Sequence, residues 1–303
     1  MAVITGTNWN AYDASTMTAR EIYGRTLAAL AEGNDKIVGL TADLEKTTAI
    51  KFFADKFPDR FFNVGIAEQN MLGIAAGLAK AGLIPFASTM AVFACLRAGE
   101  QLRTDIAYQN LPVKIIATHA GISFGHAGTT HHCTEDFAIL RAIPNMTVIC
   151  PADGIETSKA VQACVDTPGP VYIRIGRGFE PPCYENDDYT YEIGKAITMR
   201  EGTDLTIICC GIAVLQAVNA PVHATPLTLG LIKLKLEEHS LLDKTKLESK
   251  DLYDVFLSGG AAVLEITNPA GVEGKELIVF RDSFGSAMVP LLLNDYGKVW
   301  VLD

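Results

Sequence analysis

At 303 residues, with 49% hydrophobic content and a mean hydropathy of +0.22, the chain is long enough for about two domains, each with its own buried core. Its 25 basic and 35 acidic side chains leave a formal charge of −10. That balance argues against a nucleic-acid partner, which needs a basic surface to displace counterions, while a few converging cations can still bind a small anion. No apolar run approaches the roughly 18–20 residues of a membrane span. The opening Met1-Ala-Val-Ile-Thr-Gly has neither a basic leader nor an apolar core, so no signal peptide is expected. Seven cysteines, at 95, 133, 150, 164, 183, 209 and 210, form no Cys-x-x-Cys pair and suit reduced thiols in a cytoplasmic protein.

After an N-terminal extension over 1–16, Thr18 can cap a helix running to Ala31, and Lys36 to Thr41 reads as a strand. A short apolar strand ending near Val64 runs into a small-residue helix over Ala67 to Ala81, which stops at Gly82. Ile84 to Thr89 is a strand, Val92 to Tyr108 is helical, and Pro112 to Thr118 is a buried strand. A loop rich in Gly and His follows, from His119 to Thr134. Helix 134–142, strand 146–150, helix 153–165 and strand 171–175 complete the series. Such alternation implies an α/β fold, a parallel sheet with helices on both faces, whose ligands lie at the carboxyl ends of the strands. Residues 181–192, with two prolines and several acids, read as a linker, and Thr203 to Ile212 begins a second α/β unit.

Glu68 is the most informative residue. It sits where Phe61-Phe-Asn-Val-Gly-Ile-Ala passes into Gln69-Asn-Met-Leu-Gly-Ile-Ala-Ala-Gly77, a carboxylate at the mouth of a helix. The unpaired amides of a helix N-terminus favour that charge. The small residues Gly73 to Gly77 would let another backbone or a flat ring approach.

This stretch resembles the thiamine-diphosphate enzymes of the transketolase family, and the resemblance extends over about residues 17–212. It implies the thiamine-diphosphate-binding fold, with 17–180 as the pyrimidine-binding domain. Glu68 then touches the cofactor's aminopyrimidine ring, Phe93 and Met90 support that ring, and Asp43 lies with them in the cofactor site. Met90 stands where the family often has a second Phe; a thioether packs well on rings. Four positions match the family's grip on a sugar phosphate: Arg20, Thr47, His119 and Arg177. Guanidinium forks and a hydroxyl suit phosphate geometry, and holding the remote end orients the reacting end. His131 matches the histidine of the family's substrate loop, expected with His119 to face the sugar. Ala127, His126 and His132 replace that loop's usual Asp, Glu and Gln, which bears on the choice of sugar. His126, His131, His132 and Cys133 fit no zinc spacing.

The family holds the cofactor's diphosphate through Mg2+ or another divalent cation bound by a Gly-Asp-Gly…Asn segment. No Gly-Asp-Gly occurs in this sequence. The resemblance therefore implies one subunit of a split transketolase, moving a two-carbon ketol unit between sugar phosphates in a hetero-oligomer with a partner that supplies the missing half-site. A 1-deoxyxylulose-5-phosphate-synthase-like enzyme and a non-catalytic chimeric fragment are the alternatives.

Residues 193–220 start the family's third domain, but Pro221 stops its helix after Ala213 to Ala220. From there to 303 the chain resembles the carboxyl end of DHHW proteins, relatives of SGNH acyl hydrolases. The stretches that carry this are Asp251 to Gly260, Lys275 to Ala287 and Val299 to Asp303. Ser283 stands where that fold presents a nucleophile, yet the family's Asp-His-His-Trp segment is absent, so an inert serine in a truncated or chimeric segment is expected.

Overall fold

The computed structural model describes residues 4–5, 15–184, 188–201, 206–219, 263–267, 276–280 and 298–302. Its contacts divide the chain into a unit of residues 1–197 and a second of residues 198–303.

In the first unit, β1 (Ile4–Thr5) is followed by α1 (Ala19–Leu30), β2 (Ile37–Thr41), α2 (Lys51–Lys56), β3 (Phe61–Asn63) and α3 (Glu68–Lys80). Then come β4 (Ile84–Met90), β5 (Lys114–Thr118), α4 (Asp136–Arg141), β6 (Thr147–Ile149), α5 (Gly154–Val165), β7 (Val171–Arg174) and β8 (Thr190–Tyr191). Six strands form one sheet in the order β3-β2-β4-β5-β7-β6, every pair parallel. The expected fold is therefore the observed one. Both outer strands are three residues long.

The sheet is buried on both faces, and the pleat divides its side chains. Ile115 and Ala117 of β5 join a core with Met71, Leu72 and Ala75 of α3, while Ile116 joins Tyr23 and Leu27 of α1 and Val161 of α5 on the other side. Thr18 starts α1 through a capping box with Glu21, and Asp153 caps α5 by accepting from the Glu156 amide. Gly24 is required where it stands, because a Cβ there would meet the Ala49 carbonyl oxygen at 2.1 Å. That close approach presses the 42–50 loop onto α1.

Two segments depart from the sequence reading. The stretch expected as a helix over Val92 to Tyr108 forms two π-wound pieces, Phe93–Arg97 and Gln101–Ala107. Wider winding of this kind recurs at functional sites. The described residues of 181–192 are held to the domain: Asp153 Oδ2 accepts from the Cys183 amide, Tyr184 stacks on Tyr189 with centroids 4.1 Å apart, and Tyr191 is buried. Within this same unit, β1 of the N-terminal extension pairs antiparallel with β8. Buried aromatic surface outweighs the prolines and acids that made the segment look solvated.

In the second unit, β9 (Thr206–Ile208), α6 (Ala213–Val218), β10 (Val263–Thr267), β11 (Glu276–Phe280) and β12 (Lys298–Leu302) give a four-stranded sheet ordered β10-β12-β11-β9. Only the β10–β12 pair of it is antiparallel. Ser283 lies outside the described residues.

Candidate active site

Glu68 is the first residue of α3, reached through a turn in which Gly65 has φ +73°. Asn63, at the end of β3, fixes that turn: its Oδ1 accepts from the Gly65 amide at 3.1 Å and from the Asp43 amide at 3.1 Å. Glu68 is 1% exposed. A buried carboxylate needs a counter-charge, and Arg97 supplies it, its Nη1 donating to Oε1 at 3.0 Å and to Oε2 at 2.9 Å. The same guanidinium lies 4.2 Å from the centroid of the Phe93 ring, a cation–π contact within the π-wound segment that carries both residues.

Asp43, Glu68, Met90, Phe93, Arg97 and His131 line one cleft of about 350 Å³. Four of these, Asp43, Glu68, Met90 and Phe93, were expected together as a cofactor site and His131 as a substrate residue, and the fold brings all five to the carboxyl ends of the strands. Arg97 was not foreseen; its signal is a position four residues past Phe93, on the same side of a helical turn. Added Cβ atoms at Gly73 and Gly77 would meet at most Asp105 Oδ2, at 4.0 Å, so packing inside this chain does not require glycine at either position.

The four grip residues also converge. Arg20 Nε donates to the Arg177 carbonyl at 3.0 Å, and its Nη1 donates to the Thr47 carbonyl. Burial and the neighbouring Arg177 charge lower the Arg20 pKa. His119, 1% exposed, has φ +59°, a strained value for a β-substituted residue, and its Nδ1 is 2.9 Å from Thr118 Oγ1. Burial, then the charges of Arg20, Arg177 and His131, push its pKa down to about 4, so the ring is neutral at pH 7. Glu180, whose carboxyl is raised by burial, and Glu21 are acidic neighbours of Arg20. Two guanidinium groups converging in this way can hold an anion.

Phe124 joins the two places. Its ring centroid lies 4.8 Å from that of His119 and 5.3 Å from that of His131, with the Arg177 guanidinium 4.9 Å away; His131 in turn stands 5.5 Å from Phe93. Phe124 was not singled out in the sequence, although it is the one Phe of the 119–134 loop. Elsewhere in that loop His126 meets Phe124 edge-on, His132 Nε2 is 3.0 Å from the Gly125 carbonyl, and Cys133 Sγ is 3.3 Å from Cys95 Sγ. The loop is tied down at its end: buried Asp136 accepts from Arg174 Nε at 2.8 Å and from the Tyr172 hydroxyl at 3.0 Å. Among the described residues, no group of three or more His, Cys, Asp or Glu is arranged to hold a metal, and no helix is long and apolar enough to cross a membrane.

The family model "Transketolase, pyrimidine binding domain" matches residues 15–180, the stretch that carries the cleft and the grip residues. The chain belongs to the transketolase family. A protein of Methanocaldococcus jannaschii described as a transketolase C-terminal section is 41% identical over 288 residues, 92% of this chain and 91% of that one. An apulose-4-phosphate transketolase subunit from Phocaeicola vulgatus is 42% identical over 204 residues, 67% of this chain and 65% of its own. 1-Deoxy-D-xylulose-5-phosphate synthases also match; that of Halothermothrix orenii is 35% identical over 273 residues, 86% of this chain but 42% of the synthase. Among solved structures, a split-gene transketolase captured as an inactive β4 tetramer superposes with a TM-score of 0.59 at 48% identity, covering 65% of this chain and 63% of that one.

A second family model, "DHHW protein", matches residues 236–302, as the sequence resemblance indicated. The alignment with the M. jannaschii transketolase section leaves too few residues uncovered to end before residue 236. The carboxyl-terminal stretch of this transketolase-family chain thus matches both.

Proposed function

We propose that this chain is the pyrimidine-binding subunit of a cytoplasmic split transketolase, which transfers a two-carbon ketol unit between sugar phosphates with thiamine diphosphate as cofactor. The observation that carries this reading is the convergence of Asp43, Glu68, Met90, Phe93 and His131 on one cleft, with Glu68 buried at a helix N-terminus. These residues suit the cofactor's pyrimidine ring: an acid for a ring nitrogen, an aromatic face and a soft thioether. When bound, thiamine diphosphate supplies the nucleophilic carbon that carries the ketol unit.

In this reading Glu68 accepts a hydrogen bond from the pyrimidine ring and favours a proton at that nitrogen. Phe93 and Met90 hold the ring in plane. His131 and His119 face the sugar; His119, neutral because burial and nearby cations lower its pKa, can donate or accept one hydrogen bond without adding charge. Arg20, Arg177 and Thr47 hold the phosphate, and anchoring the far end of the sugar orients the reacting carbon.

The diphosphate and its Mg2+ or other divalent cation belong, in this proposal, to a second chain. Three observations support a partner: no Gly-Asp-Gly in the sequence, the relative described as a C-terminal section, and the inactive β4 tetramer of the split-gene relative. The test is ketol transfer from a ketose phosphate to an aldose phosphate, measured for this chain alone and with a Gly-Asp-Gly-bearing partner. Thiamine-dependent transfer is expected only with the partner; full activity without it overturns the proposal. Release of carbon dioxide from pyruvate instead would favour the synthase-like reading, which the matching synthases motivate.

A further inference from the structure

We propose that Arg97 gates the cofactor cleft. Its guanidinium engages both Glu68 and the face of Phe93, the two contacts a bound pyrimidine ring would use, and it swings away when the ring docks. The inference rests on the transketolase reading of the cleft and adds a residue to it.

The geometry points to exchange and not to cooperation. A single nitrogen, Nη1, spans both oxygens of Glu68, at 3.0 and 2.9 Å, so neither oxygen is left without the cation. The guanidinium carbon also lies over the Phe93 ring, 4.2 Å from its centroid. A planar, delocalised cation that donates N–H groups to a carboxylate while resting on an aromatic ring offers the interactions an aminopyrimidine would offer. Two planar groups do not share one ring face.

The burial of the two partners is unequal. The Glu68 side chain is 1% exposed and that of Arg97 is 47% exposed. The carboxylate is fixed at the first residue of α3, whereas the arginine lies at the last residue of a π-wound segment with a long, half-solvated side chain. When the pair separates, the arginine is the member that can reach water without moving backbone. Glu68 then passes from one donor to the next, and its buried charge is not left unpaired at any stage where the ring has replaced the cation.

A gate of this kind weakens apparent cofactor affinity by the fraction of molecules in which it is shut, so removing it should tighten binding by about five- to tenfold. The experiment titrates thiamine diphosphate with Mg2+ into wild type, R97A and E68Q, each assembled with the Gly-Asp-Gly-bearing partner, by calorimetry, with thermal unfolding as the folding control. The gate predicts tighter binding by R97A and weaker binding by E68Q. Equal or weaker binding by R97A overturns the gate and leaves the cleft's assignment standing. Absence of binding by the wild type with any such partner overturns the assignment itself, and the gate with it. Should R97A not fold, a crystal structure of the wild-type complex with the cofactor decides. Arg97 out of hydrogen-bond reach of Glu68 supports the gate, and Arg97 still about 3 Å from it overturns it.

Discussion

The cleft and the phosphate grip sit side by side at the carboxyl ends of one sheet, yet they handle charge in opposite ways. In the cleft the acid is buried and already matched, Glu68 by Arg97. In the grip, Arg20 and Arg177 repel one another, His119 is held neutral by burial first and then by their field, and the nearby Glu180 carboxyl is raised by burial. One place pairs its buried acid with a single cation, and the other sets two arginines close together with Glu180 and Glu21 beside Arg20. The difference suits the proposed tasks: a cofactor ring brings hydrogen-bond donors, and a sugar phosphate brings negative charge.

Exchanging the cleft's acid should have the largest effect. E68Q keeps the size and a hydrogen-bond acceptor but loses the charge, and kcat of the assembled enzyme should fall by about 10²–10⁴-fold, the range of a lost acid–base group. R177A removes one charge-assisted contact from the grip. Its kcat/KM for a phosphorylated ketose should drop about 10- to 100-fold, while an unphosphorylated analogue changes little. Equal losses on the two substrates would erase the distinction between the two places.

His119 gives a test by pH. Its folded pKa of about 4 lies below the ordinary value of 6.5, so the unfolded chain binds the extra proton between those values. Its contribution to stability is therefore complete above pH 6.5, declines as pH falls toward 4, and changes no further below that. Denaturation free energies of H119Q should lack this slope, a difference of roughly 1–3 kcal/mol across the window. The smallest effect belongs to the ring between the two places. F124L should cost about 1 kcal/mol of stability and raise KM for the sugar severalfold without lowering kcat in step; a collapse of kcat would give Phe124 a larger part.

Much of this was legible beforehand because the carrying signals are local. A strand, a glycine turn and a small-residue helix place Glu68, whereas Phe93 and Met90 stood out through family resemblance. The four grip residues were recognisable through family resemblance alone, since nothing local says that Arg20 reaches the carbonyls of Thr47 and Arg177. What escaped was set by tertiary contact. Arg97 turns back onto Glu68 from a segment whose π winding no periodicity announced. The six-residue α2 is too short to show a period and lacks a capping side chain. Residues 181–192 carry the composition of a linker, but Tyr184, Tyr189 and Tyr191 bind it to α5 and its surroundings. Polarity was misleading there because three phenol rings outweighed it.

The two shortest strands of the large sheet have a consequence for assembly. A neighbouring molecule seeking to extend that sheet finds rungs for three residues at β3 and three at β6, too brief a ladder to hold a stranger in register. Growth into fibrils by strand addition is thereby discouraged at both flanks of the sheet.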